Sequence, residues 1–132
     1  MKNLLTLTAV IEAGTGLVLV AFPSLLATLL LGSPLDTSVA VIVARVAGAA
    51  LLALGVACWF ARDAGQSRAA TGLVVGMLLY NLAAVVILAS AGIGSGLVGV
   101  ALWPAVVLHA GMGGWCVACL RSRWGKEMEH LS

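Results

Sequence analysis

Charged residues are scarce in this chain of 132 residues: seven Lys and Arg and five Asp and Glu make up 9% of it. Soluble domains carry about 25% charged residues, which help to cover their surface. Because 62% of the residues are hydrophobic, too few polar side chains remain for a water-exposed surface. The composition excludes an ordinary soluble domain and favours lipid as the surrounding solvent.

Other absences narrow the function classes. A net charge of +2 is too small for a nucleic-acid-binding face, and three cysteines are too few for a disulfide framework. The sequence contains no Walker or Rossmann glycine pattern, no HExxH motif and no Ser/His/Asp arrangement. It predicts no catalytic residue, no metal site and no nucleic-acid partner. It leaves enzymatic activity open and favours a non-catalytic role.

Long apolar runs, in contrast, are abundant. Four runs approach the roughly 20 residues that cross a bilayer, and they lie at about 4–22, 38–60, 69–91 and 97–120. Short connections between them favour consecutive antiparallel neighbours. We therefore predict an all-α integral membrane protein: an antiparallel up-down bundle of four transmembrane helices, forming one domain over residues 1–132 with a tail at 121–132.

The stretch after the first run allows two interpretations. Pro23 cannot donate a helical hydrogen bond, so the chain is expected to bend there. Residues 24–31 then form a short helix at the membrane surface. Alternatively, they extend the first span as one long, kinked and tilted helix.

Lys and Arg are absent from two of the predicted loops, and this absence sets the orientation. Six of the seven basic residues fall on one side of the four spans: Lys2, Arg62, Arg68, Arg121, Arg123 and Lys126. Because cytoplasmic segments carry the excess of Lys and Arg, we predict that both termini are cytoplasmic.

Five polar residues lie inside the predicted spans, and at least one lies in each span: Glu12, Arg45, Tyr80, Asn81 and His109. A charge at mid-bilayer costs about 2.5–3.5 kcal/mol on insertion scales, so such side chains face a partner or a cavity. At a rise of about 1.5 Å per residue, all five fall within the inner two-thirds of the hydrocarbon. They predict a polar core in the bundle.

Two interpretations of this polar core stay open. In the first, Glu12 and Arg45 form an ion pair, and the other three residues add hydrogen bonds that fix helix register. In the second, the cluster lines a cavity for a small polar or amphipathic molecule, or relays protons. The spacing of Thr8, Glu12 and Thr15, at i, i+4 and i+7, places them on one helix face.

Cysteine and histidine raise two redox hypotheses. Cys116 and Cys119 have CxxC spacing, but such pairs normally lie at a helix N-terminus and this one lies near a C-terminus, so apolar filler is favoured over redox chemistry. His109 with Met77 could in principle hold a haem. Because methionine in a membrane helix is usually packing material, we disfavour haem and predict no cofactor.

Small residues recur at helical spacing, as in Gly72–Gly76 and in the row Ala110, Gly114 and Ala118. They let helix backbones approach closely, which predicts tight packing and allows self-association into a homo-oligomer.

The first half of the chain resembles the small bacterial four-helix membrane proteins called DoxX-like. The resemblance is carried by Phe22-Pro23, by the run from Leu29 to Gly32, by Arg45-Val-Ala-Gly48 and by Leu52-Ala-Leu-Gly55. It implies the four-helix fold and a multi-pass location in a bacterial inner membrane. Some members of that group accompany quinone-linked redox systems or act as accessory subunits.

Together these features predict a small membrane protein that binds a lipophilic molecule in its polar core or accompanies a larger membrane complex. The alternative class is a redox component, linked to quinones or thiols, or a transport component. Cavity volume discriminates: a filled core favours a structural subunit, whereas a cleft of several hundred Å³ favours a ligand or transport site.

Overall fold

A computed structural model describes residues 1–65 and 67–129 of the chain. Over those ranges the regular structure is entirely helical, with no strand. The helices are α1 (Lys2–Ala21), α2 (Pro23–Leu31), α3 (Ser38–Ala61), α4 (Arg68–Gly94) and α5 (Leu102–Glu129).

Four of these helices, α1, α3, α4 and α5, are long and apolar enough to cross a membrane. Hydroxyl caps define two of their starts: Thr37 accepts a hydrogen bond from the Ala40 amide at 3.1 Å, and Ser67 accepts one from the Ala70 amide at 3.2 Å. Such caps satisfy amides that lack a partner within the helix. The all-helical class is confirmed, and the four potential spans support a multi-pass membrane protein.

α2 is a helix separate from α1, as the first of the two interpretations expects, and its location at the membrane surface stays a prediction. Phe22 interrupts the helical backbone with φ −131° and ψ 59°. Pro23 then occupies the first position of α2, where its missing N–H costs nothing. α2 ends at Gly32, whose φ of +76° suits a residue without a Cβ.

The fourth potential span differs from its predicted bounds at both ends. α5 begins at Leu102 instead of residue 97, because the preceding backbone bonds to α2. The Gly99 amide donates to the Leu30 carbonyl at 3.1 Å, and the Ala101 amide donates to the Leu29 carbonyl at 2.8 Å. α5 continues to Glu129, through most of the predicted tail, whose residues 130–132 lie outside the described ranges.

Glycines bring α1 and α3 into close contact. A Cβ added at Gly16 would lie 2.6 Å from the Gly48 carbonyl oxygen, and one added at Gly55 would lie 2.8 Å from the Ala13 amide nitrogen. No side chain larger than hydrogen fits there without moving a helix.

By contrast, a Cβ at Gly72 or Gly76 would meet nothing within 4 Å, so the GxxxG motif of α4 faces outward. The row Ala110, Gly114 and Ala118 of α5 is likewise exposed.

The spans form two closely packed pairs, α1 with α3 and α4 with α5, and contacts between the pairs are fewer. The pairs meet in a buried core, built from the first half of α1 and of α4, the second half of α3 and residues 112–120 in the middle of α5. Its members are Leu4, Leu5, Ala9, Cys58, Ala70, Val74, Met77, Met112, Cys116 and Leu120. Packing is therefore dense towards one end of the molecule.

That end carries the basic residues, and we call it the basic end: the start of α1 and α4 and the end of α3 and α5. Lys2 Nζ lies 2.7 Å from Asp63 Oδ1, and Arg62 Nε lies 3.3 Å from Asp63 Oδ2. The Lys2 ammonium holds the pKa of the exposed Asp63 carboxyl below its usual value. Arg123 donates to the Thr71 hydroxyl. These contacts join the start of α1 to the end of α3 and the start of α4 to the end of α5.

Candidate functional site

The polar face of α1 turns inward. Thr8 and Glu12 are both buried, and Glu12 is only 4% exposed. Thr15, one turn further along, is partly buried. The Thr8 hydroxyl makes no hydrogen bond within the described part of the chain. The i, i+4, i+7 spacing read from the sequence therefore corresponds to a face that points into the protein.

A hydrogen bond joins α4 to α5 beside this face. His109 Nδ1 lies 2.8 Å from Asn81 Oδ1, and the Asn81 amide nitrogen donates to the Met77 carbonyl at 2.7 Å. Since that donation orients Oδ1 as the acceptor, Nδ1 of the neutral ring carries the proton. The other ring nitrogen, Nε2, then offers a lone pair.

Tyr80 connects the two polar groups. Its ring packs edge-on against His109, with centroids 5.5 Å apart and an interplanar angle of 81°. Its hydroxyl lies near the Glu12 carboxyl and interacts with it. A row of neighbouring polar side chains, which we call the polar chain, thus runs from Glu12 on α1 past Tyr80 on α4 to His109 on α5, and His109 is bonded to Asn81.

Arg45 does not join this chain, so the predicted Glu12–Arg45 ion pair is wrong. Arg45 is exposed, and the ion pairs found among the described residues are those of Asp63. The register of α1 on α3 explains this, because Gly16 packs against Gly48 and Leu52. Glu12 then lies beyond Leu52 towards Gly55. Arg45 is eight to nine residues from that level, which is about 13 Å nearer the opposite end at about 1.5 Å per residue.

Glu12, Tyr80 and His109 border a cavity of about 590 Å³. Every helix contributes to its wall. The apolar lining comes mainly from Ile11 and Leu19 of α1, Pro23, Leu26, Ala27, Leu30 and Leu31 of α2, Ala44 and Leu51 of α3, Ala83, Ala84, Ile87 and Leu88 of α4, and Ala105 and Leu108 of α5. The polar lining is Glu12, Thr15, Tyr80 and His109. The cavity is thus an apolar chamber with one polar region.

The position of the cavity follows from the packing. The dense core around Met77, Cys58 and Cys116 closes it towards the basic end. α2, held by the bonds from Gly99 and Ala101, lies along it in the other half of the molecule. The wall is open in places: Ile87 and Leu108 line the cavity and are also 64% and 42% exposed. The cavity is therefore partly open to the outside of the protein.

The cysteines lie apart from this cavity. Cys58 and Cys116 are fully buried in the core, Cys119 is partly buried, and all three are free thiols. The CxxC pair lies in the second half of α5, away from the helix N-terminus that activates such motifs. Burial of Cys116 also separates it from partners in water or lipid.

The described residues contain no group of three or more His, Cys, Asp and Glu side chains that could hold a metal ion. Met77, the second residue of the haem hypothesis, lies in the packed core rather than along the cavity. The absence of a cofactor stays a prediction.

Sequence reasoning found the polar residues of the site but missed the contribution of α2 to its wall. Leu26 and Leu30 are one helical turn apart and both face the cavity. That i, i+4 spacing in a segment already suspected to be helical was the available signal.

No family model matches the chain, and no curated protein or solved structure matches it either. The DoxX-like resemblance therefore stays a prediction.

Proposed function

We propose that this protein binds a lipophilic small molecule inside the membrane, in the cavity bordered by Glu12, Tyr80 and His109. The observation that carries the proposal is the cavity itself. Its volume of about 590 Å³ falls within the roughly 300–1,000 Å³ of small-molecule sites. Apolar walls with a few convergent polar groups are also typical of such sites. A filled polar core would have favoured a purely structural subunit.

The proposal includes a topology: an antiparallel up-down bundle in a bacterial inner membrane, with both termini cytoplasmic. Its support is the gathering of Lys2, Arg62 and Arg123 at the basic end. The DoxX-like resemblance suggests the same membrane. The outward-facing Gly72 and Gly76 leave a surface on which a second copy or a larger membrane complex could pack.

The other classes have weaker support. A thiol-linked redox role would need an accessible pair, and Cys116 is buried. A transporter would need a route past the dense core, which closes the cavity towards the basic end.

Native mass spectrometry of the protein released from its own membranes tests the proposal. We expect a discrete bound mass on the wild type. Ala84→Phe, which places a ring in the cavity, should remove it. The matched variant Ala50→Phe, on an exposed position of α3 outside the lining, should retain it. A bound mass that survives Ala84→Phe, or no bound mass in the wild type, would contradict the proposal.

A further inference from the structure

The walls of the cavity do not select its ligand. A ligand that enters from the bilayer exchanges one apolar environment for another, because lipid tails are as apolar as the leucine side chains of the cavity wall. The transfer of its tail therefore contributes little free energy. Selection has to come from the polar region, where Glu12, Thr15, Tyr80 and His109 meet the ligand.

The polar region is rich in acceptors. The Glu12 carboxylate accepts hydrogen bonds only, and Nε2 of His109 offers a lone pair because Nδ1 is bound to Asn81. The donors there are the hydroxyls of Tyr80 and Thr15, and the Tyr80 hydroxyl lies near the Glu12 carboxyl. A head group that only accepts hydrogen bonds, such as a ketone or an ester, would therefore find few donors.

The charge of the region is negative when Glu12 is ionised. The nearest titratable groups to Glu12 are Tyr80 of α4, which interacts with its carboxyl, and Cys58 of α3, which is close enough for a Coulombic interaction; the Tyr80 ring contacts His109 of α5. No Lys or Arg is among the described residues that line the cavity, and Arg45 is exposed on α3. A carboxylate in a low-dielectric site without a cationic partner attracts a cation far more strongly than it would in water.

We propose that the ligand is a lipophilic amine: an apolar body with a protonated nitrogen that donates to the Glu12 carboxylate and to Nε2 of His109. This inference rests on the proposed function, since it names the class of molecule that occupies the same cavity. The ammonium supplies the charge and the donors that the protein does not provide, and the alkyl body fills the apolar chamber.

The test compares two probes of equal chain length, dodecylamine and 1-dodecanol, with the protein in phosphatidylcholine nanodiscs. Affinities are measured by native mass spectrometry at neutral pH, where the amine is charged. We expect the amine to bind at least tenfold more tightly than the alcohol. Glu12→Gln should reduce that ratio at least tenfold. Ala84→Phe should abolish binding of both probes, and Ala50→Phe should leave both unchanged.

The pH dependence in the wild type is a second measurement that needs no Glu12 variant. The amine-to-alcohol ratio should rise with pH, because only the ionised Glu12 carboxylate attracts the ammonium. A protonated His109 would repel it at low pH, so both groups act in the same direction. A ratio that is flat from pH 5 to 8 would overturn the amine assignment.

The outcomes distinguish a failure of the amine assignment from a failure of the proposed ligand-binding function. Equal binding of both probes, lost in Ala84→Phe, overturns the amine and leaves the cavity a binding site for a neutral molecule. Binding that Ala84→Phe does not change overturns both, because the probes then occupy bulk lipid or another surface.

Discussion

Among the described residues, His109 makes one side-chain hydrogen bond, to Asn81, and that bond decides which ring nitrogen carries the proton. Its partner Asn81 is only 2% exposed and is itself anchored to the Met77 carbonyl. The Asn81 amide therefore cannot rotate without losing a buried bond. His109, which lines the cavity, is thereby held in one orientation with Nε2 as the unprotonated nitrogen.

The strength of this bond can be measured with a double-mutant cycle of Asn81→Ala and His109→Ala. Hydrogen bonds between membrane helices average about 0.6 kcal/mol and reach about 1.7 kcal/mol, so we expect a coupling free energy within that range. Unfolding by SDS, followed by circular dichroism, supplies the free energies. The control cycle pairs His109→Ala with Leu82→Ala, an exposed position on α4, and should show no coupling. Equal coupling free energies in both cycles would show that His109 and Asn81 are not joined by a specific hydrogen bond.

Arg45 provides a second prediction at this scale. Because Arg45 is exposed and forms no ion pair with a described residue, Arg45→Gln should change the free energy of unfolding by less than about 0.5 kcal/mol. Breaking a buried ion pair would instead cost about 3–5 kcal/mol. The same SDS titration decides between these values. A loss of the larger size would restore the Glu12–Arg45 pair that the register argument rejects.

Residue chemistry alone identified which side chains are costly in lipid, but it could not tell which of them meet. Glu12, Tyr80 and His109 were found because ionisable and polar side chains stand out in apolar helices. Arg45 stands out equally, yet its contacts depend on how far α3 is shifted along α1. That shift is set by backbone contact at Gly16 and Gly48, which periodicity does not reveal.

At the scale of helices, glycine decides which spans pair closely. The chain contains 16 glycines, so small-residue motifs occur on several faces. Those that matter in the described structure are on α1 and α3, whereas Gly72 and Gly76 face outward. A motif of this kind predicts that a helix can pack closely, but not which of its neighbours it packs against.

A matched pair of substitutions tests this assignment. Gly48→Ala would place a Cβ 2.9 Å from the Gly16 carbonyl oxygen and should cost about 1–3 kcal/mol, as overpacking does. Gly76→Ala enters open space on α4 and should be neutral or stabilise by up to about 1 kcal/mol. Both values come from SDS unfolding of the purified protein. If Gly76→Ala were the more harmful change, the GxxxG face of α4 would be an interface, as in a homo-oligomer.

For α2, the sequence predicted where the helix begins but not how the chain continues after the break. Pro23 marked the break correctly, but two continuations agreed with it equally well. The decision comes from contacts that are distant in sequence, the bonds from Gly99 and Ala101 to the end of α2. The same bonds explain why α5 starts late, since those amides are committed before the helix begins.

At the scale of the whole molecule, the two ends differ in packing. The basic end is filled by leucine, methionine and cysteine side chains, whereas the other half holds the cavity. The polar chain from Glu12 to His109 lies at the boundary between them. The packed core separates these polar side chains from water at the basic end, and on their other side they border the cavity.

The orientation of this asymmetric molecule is the last prediction. If the basic end is cytoplasmic, the cavity lies in the half of the membrane away from the cytoplasm, because basic residues resist translocation. In a variant without native cysteines, Ser33→Cys should react with a membrane-impermeant maleimide in spheroplasts. Ala64→Cys, near the basic end between α3 and α4, should react only after lysis. Both positions are exposed, so a difference in labelling reports sidedness rather than burial. The reverse pattern would invert the orientation and open the cavity to the cytoplasmic leaflet, which would change the pool of lipophilic amines available to it.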